Sequence, residues 1–427
     1  MAIGRSFEEV LQKAIRCLNI GADGFTAQRN QNFAIKDCEA EIKEPTTRRI
    51  FAIAQALREG ISTARVHELS KIDLWFLEKM KHIIDVKTEL TKAKILSSPL
   101  LLAAKQNGFS DRQIANLKNT TADKIRVLRK AKGVLPIVKQ IDTLAGEFPA
   151  RTNYLYMTYH GTENDVVPGK ANLPAGRQVA VIGSGPYCIG SSVEFDWSCV
   201  QVLKTLRQNK HQTIMINSNP ETVSTDYDES DRLYFEDLTL ERILDIYDFE
   251  NPVGVVVSTG GQIANNLALP LYERGVKILG TSPKDIHRAE DRHIFSKLLD
   301  TLQVDQPQWT EVSDRAKALK CAGEFGYPVL VRPSYVLSGA AMSVASDEAS
   351  LAACLQKAAD ISSEHPVVIS KFIENAREIE IDGVAQKGEL AIYAITEHVE
   401  NAGTHSGDAT VVLPPQRTYL ETVRRAK

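Results

Sequence analysis

Gln178-Val179-Ala180-Val181-Ile182-Gly183-Ser184-Gly185-Pro186 is an apolar run of strand length that stops at a glycine-rich turn. Similar apolar runs occupy residues 213–217, 253–258 and 276–280, and amphipathic helical patterns separate them. Buried strands that alternate with helices are typical of a parallel sheet covered by helices on both faces. We therefore predict an α/β domain over residues 175–285.

Three of these strands end in polar tips that contain glycine or proline, at residues 183–186, 217–222 and 258–262. The carboxyl ends of parallel strands share one edge of the sheet, and ligands of such sheets bind beyond that edge. The sequence therefore predicts a site at this edge.

The glycines after the first strand were compared with the fingerprint of a dinucleotide-binding turn. Gly183, Gly185 and Gly190 do not fit G-x-G-x-x-G, because Cys188 stands where the third glycine would lie. The next strand ends in Asn217, whereas a dinucleotide site has an acidic residue there to bind ribose. The pattern favours a tight turn that lets the backbone approach a neighbouring domain or ligand.

Residues 1–165 have the pattern of an all-α domain. Ser6-x-x-Glu9 is a capping-box pattern, and apolar residues recur at helical spacing over 48–58 and 74–84. None of this carries catalytic chemistry, so we predict a module for packing or assembly. The loose stretch 161–177, rich in proline and glycine, is typical of a linker.

Residues 286–427 combine helical patterns with apolar strands at 328–333 and 365–370. Residues 378–384 alternate between apolar and polar, and a turn near Lys387-Gly388 leads into 390–395. This pattern is typical of an antiparallel hairpin with one solvated face. We predict an α+β domain, so the fold class is multidomain: all-α, then α/β, then α+β.

Composition excludes several classes of protein. A formal net charge of −3 gives no basic field for nucleic acid or an anionic membrane. No apolar run reaches the roughly 18 residues of a membrane helix, and residues 1–20 lack a signal-peptide pattern. The 6 cysteines are scattered without metal-binding spacing, so we expect reduced thiols and a cytoplasmic protein, with a mitochondrial location as the alternative.

Arg332 ends a buried strand and is followed by a loop of small residues that runs to Met342. A guanidinium group offers a planar fork of donors that suits phosphate oxygens. Gly339 and its small neighbours let backbone N–H groups approach a phosphate. The loop is either a phosphate-binding loop or a plain hairpin turn.

Two more polar motifs have structural alternatives. Residues 288–292 hold two arginines and two acids, and by themselves they fit a solvated helix start. Residues 397–408 hold acids, His398, His405 and two glycines beyond a strand. Because no histidines are paired at helical spacing, the motif favours a polar loop that contacts a nucleotide over a transition-metal site.

Together, five stretches resemble the large, synthetase part of carbamoyl-phosphate synthetase, and within it the C-terminal half: residues 183–197, 219–228, 288–292, 332–339 and 397–408. They occur in the order of that family, and the resemblance covers nearly the whole chain. Residues 191–197 and 152–156 resemble eukaryotic forms, and among these the multifunctional pyrimidine-pathway protein more than the urea-cycle enzyme.

The resemblance implies a division of labour along the chain. It implies a helical oligomerisation domain over 1–165, a pre-ATP-grasp domain over 175–285 and an incomplete ATP-grasp domain over 286–427. The implied reaction is the ATP-dependent phosphorylation of carbamate to carbamoyl phosphate for pyrimidine or arginine biosynthesis. The implied substrates are ATP, carbamate or bicarbonate, and ammonia. The implied partners are a glutamine amidotransferase domain or subunit and further copies of the chain.

The resemblance also implies which residues surround ATP. Catalytic roles fall on Arg292, Arg332 and His405, and the charges of the two arginines would neutralise phosphate. The full set around the nucleotide is Arg292, Arg332, Lys371, Ile373, Glu378, Gly403, Thr404, His405 and Ser406. Ile373 would pack on adenine, and Glu378 would accept from ribose hydroxyls. The family often has histidine near the Lys371 position and valine near the Thr404 position.

The family uses Mg²⁺ or Mn²⁺, and its metal-binding glutamine and Glu-x-Asn strand are expected after residue 427. No metal ligand is therefore assigned within the chain, and we expect residues 1–427 alone not to complete the reaction. Two other interpretations stay open. One is another ATP-grasp ligase, against which the stretch 219–226 argues. The other is a non-catalytic fragment for assembly or regulation.

Overall fold

The computed structural model describes residues 1–28, 35–149, 151–168, 177–188, 191, 193–312, 314–333, 342–361, 367–402, 404 and 409–427. The chain divides into two compact units, Met1–His287 and Arg288–Lys427. Each unit is described by itself. In the described ranges, no helix combines the length and apolarity needed to cross a bilayer.

The helices of the first unit, of which α12 runs past its boundary, are α1 Phe7–Cys17, α2 Cys38–Lys43, α3 Arg49–Arg58, α4 Thr63–Ser70, α5 Leu74–Lys92, α6 Ser98–Gln106, α7 Asp111–Leu117, α8 Ala122–Ala131, α9 Val193–Gln208, α10 Leu240–Glu250, α11 Gly261–Glu273 and α12 Pro283–Glu290. Its strands are β1 Ala22–Gly24, β2 Ala27–Gln28, β3 Ile137–Gln140, β4 Tyr154–Thr158, β5 Gln178–Ile182, β6 Gln212–Asn217, β7 Arg232–Phe235, β8 Gly254–Val256 and β9 Ile278–Leu279.

Within the described residues, seven strands form the large sheet in the order β3-β4-β7-β6-β5-β8-β9. All neighbours are parallel except β3 and β4. Ile182 and Ile216 pack with α10 and α11 on one face, whereas Val181 and Met215 pack with α9 on the other. The parallel sheet with both faces covered, predicted from the alternating runs, is confirmed.

The helical region begins with the predicted caps. The Ser6 side chain accepts from the Glu9 N–H, but the Glu9 carboxylate accepts from the Arg5 N–H rather than from Ser6. Ser110 and Gln113 form a complete capping box at α7. The helices α1 to α8 confirm a helical N-terminal region.

Residues 137–158 differ from the all-α expectation for 1–165. They supply β3 and β4, which join the large sheet next to β7. Pairing with a strand more than seventy residues away stabilises them, and a local hydrophobic pattern carries no information about such a partner. The two short strands β1 and β2 also interrupt the helical region.

Buried charged side chains join the helical region to the large sheet. Arg129 is fully buried and donates to Asp111 at 3.0 and 2.9 Å and to Asp245 at 2.8 and 3.0 Å. Lys13 donates to the Glu236 carboxylate at 3.0 Å and to a backbone oxygen of β4. Buried charges are tolerated only when they are paired and hydrogen-bonded, so these contacts constrain how the helices pack on the sheet.

The same network continues along the start of α10. Arg16 pairs with Asp237, and Lys105 pairs with Glu241. Burial alone would raise the pKa of the Glu241 carboxyl, but the nearby Lys105 and Arg129 charges outweigh burial and lower this pKa. We name the residues Lys13, Arg16, Lys105, Asp111, Arg129, Glu236, Asp237, Glu241 and Asp245 the buried charge network.

The second unit contains α13 Arg292–Leu302, α14 Arg315–Phe325, α15 Glu348–Ile361 and α16 Leu420–Ala426, with the strands β10 Trp309–Val312, β11 Val329–Pro333, β12 Ser343–Ala345, β13 Val367–Lys371, β14 Ile379–Gln386, β15 Glu389–His398 and β16 Val411–Val412. In the described part of the unit, one sheet has the order β10-β13-β11-β12 and a second has β14-β15-β16. Every pairing is antiparallel. The predicted α+β class is confirmed.

The predicted hairpin is formed by β14 and β15. Gln386 pairs with Glu389 across the intervening turn, and Lys387 and Gly388 both have positive φ, of 55° and 86°. A two-residue turn of this hand matches the twist of an antiparallel hairpin, and glycine at its second position is free of the usual steric penalty.

We expect Arg129→Met to lower the free energy of unfolding of the first unit by about 3–5 kcal/mol, because it leaves Asp111 and Asp245 buried without their cation. Urea unfolding followed by circular dichroism measures the loss. Arg274→Met is the matched control, since Arg274 pairs with Asp123 at 2.7 Å but both side chains are partly exposed. That change should cost less than about 1 kcal/mol. Equal losses in the two variants would contradict the role of the network.

Candidate functional site

The polar tips at the carboxyl edge of the large sheet meet around the Asn217 side chain. Its oxygen accepts from the Gly185 N–H at 3.0 Å and from the Ser218 N–H at 2.8 Å. Its amide nitrogen donates to the Thr222 hydroxyl at 3.3 Å. Asn217 therefore joins the turn after β5 to the loop after β6.

Two glycines at this edge permit close contacts between neighbouring strands. A side chain at Gly183 would lie 2.6 Å from the Asn217 amide, and one at Gly260 would lie 2.3 Å from the Ile182 carbonyl oxygen. Only glycine fits at such distances. The glycines after β5 and β8 thus allow the ends of these strands to pack closely together. This agrees with the prediction of a tight turn that lets other backbone approach.

A cavity of about 290 Å³ lies beyond the same edge and is lined by both the sheet and the helical region. Gly185 and Ile263 line it from the sheet side, and Arg16, Arg112 and Arg126 from the helical side. The edge expected to hold a site therefore borders an open space of small-molecule size.

In the second unit, Arg332 lies on β11 next to β13. Its terminal nitrogen lies 3.5 Å from the Ser370 hydroxyl, and its Nε is buried without a hydrogen-bond partner among the described residues. A buried guanidinium donor that is left unsatisfied is costly and indicates an anionic ligand. Burial lowers the pKa of Arg332, and the Arg292 charge lowers it further.

Arg292 is the first residue of α13, after the N-cap Asp291, whose side chain accepts from the Ile294 N–H at 2.8 Å. Burial lowers the pKa of Arg292 too, although the Glu290 charge acts in the opposite direction. Two half-buried guanidinium groups repel one another, and an anion with several oxygens would offset this repulsion. Binding of such an anion is therefore favourable here. The structure therefore brings Arg292 and Arg332 together.

Lys371 and Ile373 lie at the end of β13. The Lys371 ammonium donates to the carbonyl oxygens of Gly326 and Tyr327, both at 3.0 Å. Side chains alternate along a strand, so Lys371 leaves β13 on the face opposite to Ser370 and Arg332. Its place around ATP stays a prediction. Ile373 is 55% exposed.

Glu378 precedes β14 and is 40% exposed at its side chain. Its carboxylate lies 3.3 Å from Nδ1 of the buried His398, and Nε2 of that ring lies 3.3 Å from the Glu380 carboxylate. Neither ring nitrogen makes a well-aligned hydrogen bond with a described residue.

The loop after β15 is closed at its base. Val399 donates to the Thr410 carbonyl at 2.9 Å, and the Glu400 carboxylate accepts from the Thr410 N–H and hydroxyl. Those hydrogen bonds lower the pKa of Glu400. Thr404 donates to the Asn401 carbonyl at 3.2 Å. Gly403, His405 and Ser406 lie outside the described residues.

Ser370, Glu380 and His398 were not assigned by sequence reasoning. Ser370 is a polar residue inside an apolar strand, and that exception to the pattern is a signal that was available. Glu380 and His398 become neighbours only through the pairing of β14 with β15. Among the described residues, no group of three or more His, Cys, Asp or Glu side chains could hold a metal ion.

Three family profiles match consecutive parts of the chain. Residues 1–133 match the carbamoyl-phosphate synthetase large chain oligomerisation domain. Residues 175–288 match the carbamoyl phosphate synthase preATP-grasp domain, and residues 291–425 match the carbamoyl-phosphate synthase L chain ATP binding domain. Together the profiles cover most of the chain.

Curated relatives of two kinds are equally similar. Multifunctional protein pyrABCN of Emericella nidulans is 52% identical over 100% of this chain and 18% of its own length. The mitochondrial arginine-specific carbamoyl phosphate synthase large chain of Neurospora crassa is 52% identical over 100% of this chain and 36% of its own length. The chain thus spans about a fifth to a third of these relatives.

Among solved structures, the biotin carboxylase domain of the Hydrogenobacter thermophilus 2-oxoglutarate carboxylase is 20% identical, with a TM-score of 0.42. The similarity covers 52% of this chain and 50% of that domain.

We expect Arg332→Ala to weaken the binding of a non-hydrolysable ATP analogue by about 10- to 100-fold, because charged hydrogen bonds to phosphate are each worth about 1.5–3 kcal/mol. Isothermal titration calorimetry measures the change. Arg424→Ala is the matched control, since Arg424 is an exposed arginine of the same unit that faces Glu421. Unchanged affinity in the Arg332 variant would remove this arginine from the nucleotide site.

Proposed function

The chain belongs to the carbamoyl-phosphate synthetase large-chain family, and on this basis we propose that its second unit binds ATP and phosphorylates carbamate. The product is carbamoyl phosphate. The first unit, in the same proposal, supplies the assembly module and the α/β domain that precedes the ATP-binding domain.

The observation that carries the proposal is the juxtaposition of Arg292 and Arg332. The buried Arg332 Nε has no partner among the described residues, and the Arg292 charge lowers the Arg332 pKa. Both features would be relieved by the phosphate oxygens of a nucleotide. The residues present therefore fit ATP.

Ile373 and Glu378 have roles that their surroundings permit. Ile373, exposed at the end of β13, would pack against the adenine ring. The Glu378 carboxylate would accept from ribose hydroxyls, because part of its side chain is accessible. We propose the same nucleotide site for Lys371, Gly403, Thr404, His405 and Ser406.

The reaction requires little covalent chemistry from the protein. A carbamate oxygen attacks the γ-phosphorus, the bond from that phosphorus to the bridging oxygen breaks, and ADP leaves. Arg292 and Arg332 would hold the phosphate chain in place and neutralise charge that spreads over its oxygens in the transition state. Mg²⁺ or Mn²⁺, when bound, would supply further neutralisation of the phosphates.

The proposal extends to the partners of the whole protein. Bicarbonate and ammonia are the expected precursors of carbamate, with a glutamine amidotransferase domain or subunit as the source of ammonia. We also propose self-association through the helical domain. Pyrimidine biosynthesis in the cytoplasm is preferred to arginine biosynthesis because of the stretches 152–156 and 191–197.

The enzyme that contains this segment should form ATP from carbamoyl phosphate and ADP. Arg332→Ala should lower that rate by about 100-fold or more, as does the loss of one preorganised donor to a transition-state oxyanion. A coupled assay for ATP measures the rate, with Arg424→Ala as the control. Equal rates in the wild type and the Arg332 variant would contradict the proposal.

The pathway can be tested in the source organism. Arg332→Ala in the chromosomal gene should create a growth requirement for uracil if the product feeds pyrimidine synthesis. A requirement for arginine alone would instead assign the protein to arginine synthesis. Growth on media with each supplement measures the outcome.

A second candidate function, assembly without catalysis, is favoured by an exposed aromatic cluster. Trp75 and Phe76 are 54% and 42% exposed, and their rings lie 5.0 Å apart at the start of α5. Large exposed aromatic side chains often mark protein interfaces. Sedimentation velocity combined with ATP titration separates the two functions, because association without nucleotide binding supports assembly alone.

A further inference from the structure

His398 lies between two carboxylates on the β14–β15 hairpin. Its side chain is 2% exposed, and its two ring nitrogens lie 3.3 Å from Glu378 and 3.3 Å from Glu380. The described residues thus contain an imidazole with a carboxylate oxygen next to each nitrogen. The assignment of site residues above gives no role to this ring.

The strand register explains why these three side chains meet. The His398 N–H donates to the Glu378 carbonyl at 3.1 Å, and Glu380 pairs with Thr396. Side chains of residues two apart on a strand share a face, and directly opposed residues share it too. His398 is therefore opposite Glu378 and diagonal to Glu380.

The chemistry of the ring limits what it can do there. A neutral imidazole has one N–H donor, whereas an imidazolium has two. A ring that lies between two carboxylates can therefore present N–H to one of them when neutral and to both when protonated.

We propose that His398 is a positioning residue for the nucleotide. Its ring lies against the Glu378 carboxylate and holds it in the orientation that accepts ribose hydroxyls, and Glu380 holds the ring from the other side. The inference rests on the proposed function, because the ribose contact of Glu378 is part of it.

The test compares the affinity of the chain for ATP with its affinity for 2′,3′-dideoxy-ATP by calorimetry. The wild type should prefer ATP by about tenfold or more, as expected for a hydrogen bond to a charged group. His398→Asn and Glu378→Gln should each bring that ratio towards one. The double variant should show no further loss, because the two residues act as one unit.

Two controls separate positioning from loss of structure. Ile395→Val removes a buried methyl group from the same hairpin and should lower its thermal stability without changing the preference for ATP. Glu380→Gln should lower the preference by less than His398→Asn, since the ring keeps its contact with Glu378.

The outcomes are distinguishable. A wild-type chain that binds no ATP contradicts the proposed function itself. A wild type that prefers ATP, together with a His398→Asn variant that keeps the same preference, overturns only the role of His398. Additive losses in the double variant overturn it as well, because they mean that His398 and Glu378 act separately.

Discussion

The pairing of buried charges between the helices and the large sheet is the constraint on which the first unit depends. Arg129 contacts Asp111 from α7 and Asp245 from α10, so a single side chain fixes three helices. A buried ion pair has a large desolvation cost, and few arrangements place every charge against its partner. The network therefore specifies how the helical region lies on the sheet, and with it the position of the cavity at the strand edge.

The second unit places a half-buried arginine in the opposite surroundings. Arg129 meets two carboxylates, whereas Arg332 meets a serine hydroxyl and the charge of Arg292. Burial lowers the Arg332 pKa, and the Arg292 charge lowers it further. The same residue type thus lies between two carboxylates in one unit and beside a hydroxyl and a second arginine in the other.

Alternation along β11 and β13 separates apolar core side chains from polar ones. Val329, Val331 and Ile369 pack with α14 and α15, whereas Arg332 and Ser370 leave the sheet on the other face. The hairpin of β14 and β15 applies the same rule, because it places His398 on the face of Glu378. Strand register therefore brings each group of polar residues together. A shift of one residue in either strand pairing would move these side chains to opposite faces and separate both groups.

Much of the secondary structure of this protein could be predicted from its sequence. Hydrophobic periodicity, glycine-rich strand ends and helix caps are local signals, because each depends on residues only a few positions apart. They predicted β5, β6 and the β14–β15 hairpin. Pairing between distant segments is not local, so β3 and β4 and the contacts of His398 were not predicted. The sequence by itself determined the fold class and the family. Only the tertiary structure decided which groups each buried charge meets, because that depends on distances between segments far apart in the chain.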